Sequence, residues 1–353
     1  MSLFGIVVLI FLNIRLAFTA NANYSVVFQS GEEGYFCVRI PSILTTSKGT
    51  LIAFGEGRMF NCADATQHDL VYKRSTDNGR TWSKLRIFLP DNSTKSAHNG
   101  IRNIVPVQLK YNQRILLPFC QHGHILQSYS DDDGLTFAKP EIIPNVTKPE
   151  WQAISLGPPS SILLQSNRIL IPSHYALNTS EGGAFSIGYT MLNDHNGQID
   201  KWYLGGEFKL GNLFPNEAQA VELLPNNNSI FINSRSRDTV RIGSYSYDGG
   251  ITFSKVNVLN TLIQPLHGCE GSTIFHPKTN QLLYTGLSEL SQRTNLSLYI
   301  STDHGNQWSF KKTIWPGPSA YSALTILNDQ SVGVLFEGGN QTPYDKVFFT
   351  ILI

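Results

Sequence analysis

The chain has 353 residues, of which 41% are hydrophobic and 11% aromatic, so it holds enough apolar material for a substantial core. With 27 basic and 26 acidic residues, its formal net charge is only +1. This balance argues against nucleic acid as a partner, and any charge selectivity has to come from a local cluster of residues.

The N-terminal segment is predicted to be an export signal. Residues 3–18 are apolar apart from Asn13 and Arg15, and Ala20 and Ala22 offer small residues for cleavage. The alternative, a transmembrane anchor, would need about 20 apolar residues in a row. We therefore expect residues 1–22 to be a signal peptide, and residues 23–353 to form one mature domain without a membrane span.

Glycosylation signals and cysteines bear on the compartment. Asn-x-Ser/Thr sequons behind a signal peptide agree with the secretory pathway, leading to secretion or to the lysosomal lumen. The four cysteines allow three disulfide pairings, and their spacing does not choose among them. No CxxC motif is present, so we expect neither zinc nor another cofactor. The seven sequons begin at Asn23, Asn92, Asn145, Asn178, Asn227, Asn295 and Asn340.

One hairpin pattern recurs along the mature chain: an apolar strand, a short polar turn and a second apolar strand. The copies are about 50 to 65 residues apart, which is a repeat period typical of propellers. The six turns are centred on Ser47, Asn112, Ser166, Asn227, Thr279 and Asp329.

A second hairpin signature, Ser-x-Asp-x-Gly-x-Thr-aromatic, lies between these copies. Its aspartate accepts backbone N–H bonds, its glycine takes a positive φ and its aromatic residue packs sideways. Such turns are called Asp boxes. Two hairpins per unit and six units predict an all-β, six-bladed β-propeller that protects its strand edges by radial closure. Four clear copies and one degenerate copy occupy residues 75–82, 130–137, 246–253, 301–308 and 193–202.

An unusual set of polar residues lies far from the first-hairpin turns. A strand rises about 3.3 Å per residue, so residues eight to eleven positions from a turn should share one rim, roughly 25 Å away. Arginines, acids and a tyrosine converging there would suit a sugar that carries a carboxylate, because guanidinium groups bind carboxylates through paired, charge-assisted hydrogen bonds. The rim residues are Arg39, Arg58, Glu217, Arg235, Tyr321 and Glu337, and two loops add Asp64 and Arg293.

Several of these residues stand in segments that resemble the sialidase (neuraminidase) family, particularly its animal lysosomal type, and the resemblance covers nearly the whole mature chain. The segments are Val38-Arg-Ile-Pro-Ser42, Gly55-Glu-Gly-Arg58, Pro215-Asn-Glu-Ala-Gln219, Asn233-Ser-Arg235, Arg293-Thr-Asn-Leu296, Trp315-Pro-Gly-Pro-Ser-Ala-Tyr-Ser322 and Phe336-Glu-Gly-Gly339.

The resemblance implies a role for each residue. Tyr321 would be the nucleophile, Glu217 the carboxylate that activates it, and Asp64 the acid that protonates the leaving group. Tyrosine suits a substrate whose anomeric carbon already carries a negative group, because a carboxylate nucleophile would be repelled. The carboxylate of the substrate would be bound by Arg39, Arg235 and Arg293, with Arg58 in the same pocket and Glu337 supporting Arg39.

Alternatives remain for some residues and for the activity. Arg237 and Arg241 compete with Arg293 for the third arginine, and Asp131–Asp133 would suit calcium as well as turn capping. The predicted activity is that of a retaining exo-α-sialidase acting on sialylated glycans. The alternatives are a sialic-acid-binding propeller without catalysis and a trans-sialidase or anhydro-forming sialidase.

Overall fold

The structure is a computed structural model that describes residues 23–91, 100–177, 186–223 and 228–353. These residues form antiparallel β-sheets, joined by turns and by one short 3-10 helix at Ile199–Lys201. No helix in these ranges is both long and apolar enough to cross a membrane. The predicted signal peptide, residues 1–22, lies outside the described residues.

The first and last strands pair with each other. Strand β1 (Ser25–Gln29) is antiparallel to β25 (Lys346–Ile351) and forms the edge of the last sheet. The two ends of the described chain therefore meet in one sheet, which closes the ring of an all-β propeller.

The next two sheets take up the first half of the chain. Sheet I has the order β2-β3-β4-β5, and sheet II has the order β10-β9-β8-β6 with β7 also pairing with β8. Their strands are β2 (Cys37–Thr45), β3 (Leu51–Arg58), β4 (His68–Ser75), β5 (Arg86–Leu89), β6 (Ile101–Arg102), β7 (Val107–Gln108), β8 (Ile115–Gln121), β9 (His124–Ser130) and β10 (Glu141–Ile142).

Sheets III and IV follow the same plan. Sheet III has the order β11-β13-β14-β15 with β12 also pairing with β13, and sheet IV has the order β16-β17-β18-β19. Their strands are β11 (Gln152–Leu156), β12 (Ile162–Leu163), β13 (Ile169–Ala176), β14 (Ser186–Asn193), β15 (Trp202–Phe208), β16 (Ala218–Glu222), β17 (Ile230–Ser234), β18 (Val240–Ser246) and β19 (Lys255–Ile263).

Sheet V is larger and departs from the six separate sheets that the sequence predicts. It has seven strands, so the described residues form five hydrogen-bonded sheets. The reason is one continuous 18-residue strand, which pairs with its predecessor as far as Pro318 and with its successor from Ser319 onward. Besides β1 and β25, its strands are β20 (Ser272–His276), β21 (Gln281–Leu287), β22 (Thr294–Ser301), β23 (Ser309–Ile326) and β24 (Val332–Gly338).

The Asp boxes form the turns that the sequence predicts. In the first, Asp77 accepts hydrogen bonds from the backbone N–H of Thr81 at 3.0 Å and from its hydroxyl at 2.6 Å, while Ser75 accepts one from Gly79 N–H at 2.9 Å. In the degenerate copy, Asn193 takes the place of that serine and accepts from the N–H of Gly197 at 2.9 Å. Each box lies between the third and fourth strands of its unit, away from the polar site.

The apolar core is divided among neighbouring sheets. One buried cluster packs Phe54 of sheet I against Phe119 of sheet II, and another packs Val71 against Phe349 of sheet V. Further clusters join sheets II and III, III and IV, and IV and V, and a sixth lies between the two halves of sheet V. This arrangement leaves the inner ends of the strands free to carry polar side chains.

Candidate active site

The predicted site residues come together at the inner strands, around a cavity of about 360 Å³. Arg58, Asp64, Glu217, Arg235 and Tyr321 line the cavity. The other three predicted residues contact this group: Arg39 binds Asp64, Glu337 accepts from the backbone of Tyr321, and Arg293 lies beside the Tyr321 ring.

Tyr321 and Glu217 form one hydrogen-bonded pair in this cavity. Tyr321 lies in β23 with 6% of its surface exposed, and its hydroxyl donates to a carboxylate oxygen of Glu217, just before β16. Arg235, just after β17, donates from Nη1 to the other oxygen of Glu217 at 2.7 Å and to the Tyr321 hydroxyl at 3.3 Å. A phenol, a carboxylate and a guanidinium thus share one network.

The charges around Tyr321 and Glu217 determine which of the two groups carries the proton. Burial and the negative charge of Glu217 raise the pKa of Tyr321 well above its usual value, although Arg235 and Arg293 oppose this. Burial by itself would raise the pKa of Glu217, but Arg235 and the Tyr321 hydrogen bond outweigh it and hold that pKa below its usual value. The site therefore holds a neutral phenol against a carboxylate ion that can take its proton.

Glu337 links Arg39 to β23, the strand that carries Tyr321. It is fully buried in β24 and accepts from Arg39 Nε at 3.2 Å and from the backbone N–H groups of Ile40 at 2.9 Å and Tyr321 at 3.2 Å. The ladder between β2 and β3 is irregular between Arg39 and Ser42, and Ile40 takes a φ of +54°, which is rare for a β-branched residue. This strained residue turns its N–H to the carboxylate of Glu337.

Asp64 lies between two arginines at the mouth of the cavity. One of its carboxylate oxygens accepts from Arg39 at 3.1 Å and from Arg58 at 2.8 Å, while 84% of its side chain is exposed. Burial of part of the group would raise the pKa of Asp64, but Arg58 and Arg39 outweigh this and lower it. Asp64 is therefore a carboxylate ion in the ligand-free protein.

Arg293 lies beside the Tyr321 ring, and the two other candidates for the third arginine are placed differently. The Arg293 guanidinium is 5.7 Å from the centre of the Tyr321 ring and donates to the Tyr344 hydroxyl at 3.2 Å. Arg241 is fully buried and donates to the side chains of Asn233 and Gln264 and to the backbone carbonyl of Cys269. The other candidate, Arg237, is exposed.

A disulfide bond joins two of the segments that carry site residues. Cys37 and Cys62 are bonded, and Cys120 and Cys269 are buried free thiols. Cys37 is two residues before Arg39, and Cys62 is two residues before Asp64. The bond therefore fastens the loop of Asp64 to the strand of Arg39.

Several site residues were missed by the sequence reasoning. The Tyr344 ring lies under the Arg39 guanidinium, with 4.1 Å between the ring centre and the guanidinium carbon. Glu56 pairs with Arg58 at 2.8 Å and could have been found, because it stands two residues away in the same strand. His68 and His174 also line the cavity, and no sequence signal marked either of them.

The aspartates that suggested calcium all have protein partners. Asp132 caps its Asp box by accepting a hydrogen bond from the Thr136 N–H. Asp131 forms an ion pair with Arg114, just before β8, at 2.7 Å, and Asp133 accepts a hydrogen bond from the Thr50 hydroxyl at 2.6 Å. Within the described ranges, no three His, Cys, Asp or Glu side chains group as a metal site would require.

Comparison with known proteins adds a family match. A model described as "BNR repeat-like domain" matches residues 120–334, and one described as "BNR/Asp-box repeat" matches residues 73–84. The first covers more than half of the chain, and the second falls on the first Asp box.

The proteins similar in sequence to this chain include sialidases. The chain is 24% identical to "Sialidase" of Micromonospora viridifaciens, with 89% of this chain and 52% of that protein aligned. It is 25% identical to "Sialidase-3" of Mus musculus, with 93% of each chain aligned. The chain thus spans about half of the length of the bacterial relative and nearly all of the mouse one.

Solved structures show the same fold. "Hadza microbial sialidase Hz136" superposes with a TM-score of 0.81 at 23% identity, over 93% of this chain and 68% of that one. The intramolecular trans-sialidase of Ruminococcus gnavus superposes with a TM-score of 0.76 at 16% identity, over 94% and 97%.

Proposed function

Because the chain belongs to the sialidase family, we propose that it is a retaining exo-α-sialidase, a glycoside hydrolase that releases terminal sialic acids from glycoproteins, glycolipids or oligosaccharides. The observation that carries this proposal is the hydrogen bond from the buried Tyr321 hydroxyl to Glu217, inside a cluster of arginines. A neutral nucleophile with its own base suits a sugar whose anomeric carbon bears a carboxylate.

The arginines supply the binding step. Arg39, Arg235 and Arg293 all lie around the Tyr321 ring or its hydroxyl and would bind the carboxylate of the substrate. A hydrogen bond to a charged group contributes about 1.5–3 kcal/mol, so two or three of them orient one monosaccharide firmly. This holds the anomeric carbon over the Tyr321 oxygen.

The chemical step needs a base and an acid. As the Tyr321 oxygen bonds to the anomeric carbon, Glu217 takes the phenol proton, and Asp64 gives a proton to the glycosidic oxygen as its bond to that carbon breaks. Water then attacks the glycosyl–tyrosine intermediate and gives a proton to Asp64, while Glu217 returns its proton to the departing phenolate. Both groups end as they began, and the anomeric configuration is retained.

Asp64 has to be protonated for the first of these steps, yet it is ionised in the free protein. Its pKa is lowered by Arg58 and Arg39, and Arg39 is also one of the arginines that would bind the substrate. A bound carboxylate would therefore compete with Asp64 for the positive charge of Arg39 and raise the pKa of Asp64. Substrate binding would in this way prepare its own acid.

The nucleophile is tested by Tyr321→Phe, which removes one oxygen from a buried ring. We expect multiple turnover of a fluorogenic sialoside at mildly acidic pH to be abolished while the variant stays folded. Tyr111→Phe is the control, because Tyr111 is 87% exposed on a turn remote from the cavity and should keep full activity. Full activity in Tyr321→Phe would refute the nucleophile assignment. If the wild type binds sialic acid without cleaving any sialoside, the protein is a binding propeller instead.

The product separates hydrolysis from the two related transfer reactions. One structural relative is an intramolecular trans-sialidase, and at 16% identity its likeness to this chain shows a shared fold and not a shared reaction. Free sialic acid in the mass spectrum of the products would support the hydrolase. An anhydro sugar would instead indicate an anhydro-forming sialidase, and a newly sialylated acceptor would indicate a trans-sialidase. Either product would contradict hydrolysis.

We also infer that the propeller has six blades. Strand β23 would serve as the outer strand of the fifth blade through Pro318 and as the inner strand of the sixth from Ser319. The buried apolar cluster between the two halves of sheet V supports this count, because such clusters separate the other neighbouring sheets too.

For the compartment, we propose the secretory pathway, ending outside the cell or in the lysosomal lumen. The disulfide between Cys37 and Cys62 supports an oxidising compartment. Among the sequons that the structure describes, Asn23, Asn145 and Asn340 are exposed to solvent. Expression in animal cells should give a protein that shifts in mass on treatment with an N-glycosidase, and a cytosolic, unshifted product would contradict the proposal.

A further inference from the structure

The proposed acid, Asp64, is carried by a loop, whereas the nucleophile Tyr321 is carried by a strand. Residues 59–67 connect β3 to β4 without helix or strand, and residues 60, 61 and 63–65 are exposed to solvent. At the base of this segment, the Met59 N–H donates to the Gln67 carbonyl at 3.0 Å. We name residues 59–67 the acid loop. Its outer part needs contacts of its own to keep Asp64 at the mouth of the cavity.

Bonds of two kinds join the outer part of the acid loop to the rest of the protein. The first kind is ionic: one oxygen of Asp64 accepts from Arg39 at 3.1 Å and from Arg58 at 2.8 Å. The second kind meets at Cys62, whose carbonyl accepts from Arg58 at 2.6 Å and whose sulfur is bonded to Cys37. Cys37 is fully buried at the start of β2, so the disulfide anchors the acid loop in sheet I.

The ionic bonds depend on the charge of Asp64. In the proposed mechanism Asp64 is protonated before it gives its proton to the glycosidic oxygen, and a neutral carboxyl group no longer forms an ion pair with Arg39 or Arg58. The bonds at Cys62 do not involve the Asp64 carboxyl group, and the disulfide is covalent. The disulfide therefore holds the acid loop at the step in which its ion pairs are weakest.

We propose that the Cys37–Cys62 disulfide is a positioning element that keeps the protonated Asp64 against the glycosidic oxygen of the substrate. Cys62 is two residues before Asp64, and Cys37 is two residues before Arg39. One covalent bond thus sets the position of the acid relative to an arginine that would bind the substrate carboxylate. The inference rests on the proposed sialidase mechanism and concerns its acid alone.

The leaving group distinguishes this role from a general effect on stability. A sugar leaving group departs as an alkoxide unless it is given a proton, whereas para-nitrophenolate departs readily without one. Loss of the disulfide should therefore slow the cleavage of sialyllactose much more than the cleavage of a para-nitrophenyl sialoside. A change that only reduces the amount of folded protein lowers both rates by the same factor.

The test measures kcat/KM for both substrates in the double variant Cys37→Ala/Cys62→Ala. A positioned acid contributes about 10²–10⁴-fold to a rate, and a misplacement of about 1 Å costs about 10²-fold. We expect the sialyllactose-to-nitrophenyl ratio of kcat/KM to fall by about tenfold or more. Tyr35→Phe is the structural control, because it removes a buried hydrogen bond to Asp69 of β4 at 2.6 Å and should leave the ratio unchanged.

Asp64→Asn shows whether the disulfide acts through the acid. The amide has no acidic proton to give, so the ratio in this variant should fall at least as far as in the double cysteine variant. Removing the disulfide from Asp64→Asn should then change the ratio by no more than about twofold, because no acid is left to be positioned. A purely structural role would instead make the two effects additive.

Reduction of the wild-type protein repeats the test without a substitution. A dithiol reagent gives two electrons and two protons to the bond, so Cys37 and Cys62 become thiols while the reagent becomes a cyclic disulfide. Cys120 and Cys269 are thiols already and do not change. The ratio should fall as in the double variant, and it should recover when the reagent is removed and the protein is reoxidised.

The outcomes separate this inference from the proposed function. An unchanged ratio in the double variant, or an additive loss in combination with Asp64→Asn, would overturn the role of the disulfide and leave the sialidase proposal standing. If the double variant does not fold, the reduced wild type decides by the same ratio. If the wild type cleaves neither substrate, the sialidase proposal itself fails, and this inference fails with it.

Discussion

The carboxylate of Glu337 offers a quantitative test of how the site is built. Each of its oxygens accepts two bonds: Oε1 from Ile40 N–H at 2.9 Å and Arg39 Nε at 3.2 Å, and Oε2 from Tyr321 N–H at 3.2 Å and Arg39 Nη2 at 3.5 Å. In Glu337→Gln one oxygen becomes an NH₂ group, which cannot accept. Whichever way the amide turns, one backbone donor and one guanidinium donor lose their acceptor.

The cost follows from burial, because the Glu337 and Arg39 side chains are 0% and 5% exposed. An unpaired buried donor costs about 1–3 kcal/mol, and breaking one side of a buried ion pair costs about 3–5 kcal/mol. Asp64 still offsets part of the Arg39 charge, so we expect Glu337→Gln to lower the free energy of unfolding by about 3–5 kcal/mol. Globular proteins have about 5–15 kcal/mol in total, so the variant should fold at 25 °C with little margin.

Urea unfolding followed by tryptophan fluorescence and by circular dichroism measures this loss. Glu289→Gln is the matched control, because Glu289 lies half-buried on a loop and accepts hydrogen bonds from the neighbouring Leu290 and Ser291. Its unfolding midpoint should not move. A Glu337→Gln midpoint within error of the wild type would refute the argument that this carboxylate holds β2 to β23.

Other predictions concern inhibitor binding and pH. Arg39→Ala should weaken a sialic-acid-like inhibitor by about 2 kcal/mol or more, measured as an inhibition constant, since a charged partner is left unpaired. If substrate raises the pKa of Asp64, the alkaline limb of kcat should lie at higher pH than that of kcat/KM, and coincident limbs would contradict this. Burial raises the pKa of Glu270 well above its usual value, so its contribution to stability is lost as pH rises through that pKa. Glu270→Gln should therefore gain stability over the wild type as pH increases, and a constant difference between pH 5 and 8 would count against it. The Asp77 and Asp132 pKa values are lowered from 3.8 to about 2 by turn hydrogen bonds, so their contribution is present above 3.8 and lost as pH falls toward 2. In the double variant Asp77→Asn/Asp132→Asn, the free energy of unfolding should fall less steeply than in the wild type as pH is lowered through this range.

The parts of this fold that the sequence predicted are those with a local cause. An Asp box is set by a few neighbouring residues: Asp77 caps the N–H of Thr81, four positions on, whatever the rest of the chain does. Arg39, Tyr321 and Glu217 stand in segments that resemble a known family, so their roles were predicted without knowing their distances. The structure then brings them together from strands almost 300 residues apart.

The features that the sequence could not predict depend on contacts between distant segments. Pairing Cys37 with Cys62 requires β2 and the Asp64 loop to be adjacent, and three pairings were equally open before that was known. The continuity of β23 depends on neighbours on both sides, so the pattern of turns alone suggested two separate sheets. His174 sits in an apolar strand, where a core histidine would have looked the same, and only the fold shows that it lines the cavity.

The structure also changes the electrostatic picture of the site. The sequence suggested arginines waiting for a carboxylate, yet in the ligand-free protein most of them already have acidic partners. Arg235 is paired with Glu217, and Arg39 is shared between Glu337 and Asp64. Five arginines and four acids meet here: Arg39, Arg58, Arg102, Arg235 and Arg293 with Glu56, Asp64, Glu217 and Glu337.

The pairing of most of these arginines with acids has a consequence for the proposed catalysis. A bound substrate carboxylate adds a fifth negative charge, and the most exposed of the four acids, Asp64 at 84%, is the one that can take up a proton most readily. In the proposed mechanism, that proton goes to the leaving glycosidic oxygen. Glu217, paired with Arg235 and hydrogen-bonded to Tyr321, stays ionised as the base. The same charge balance that binds the substrate would thus divide the two carboxylates into acid and base.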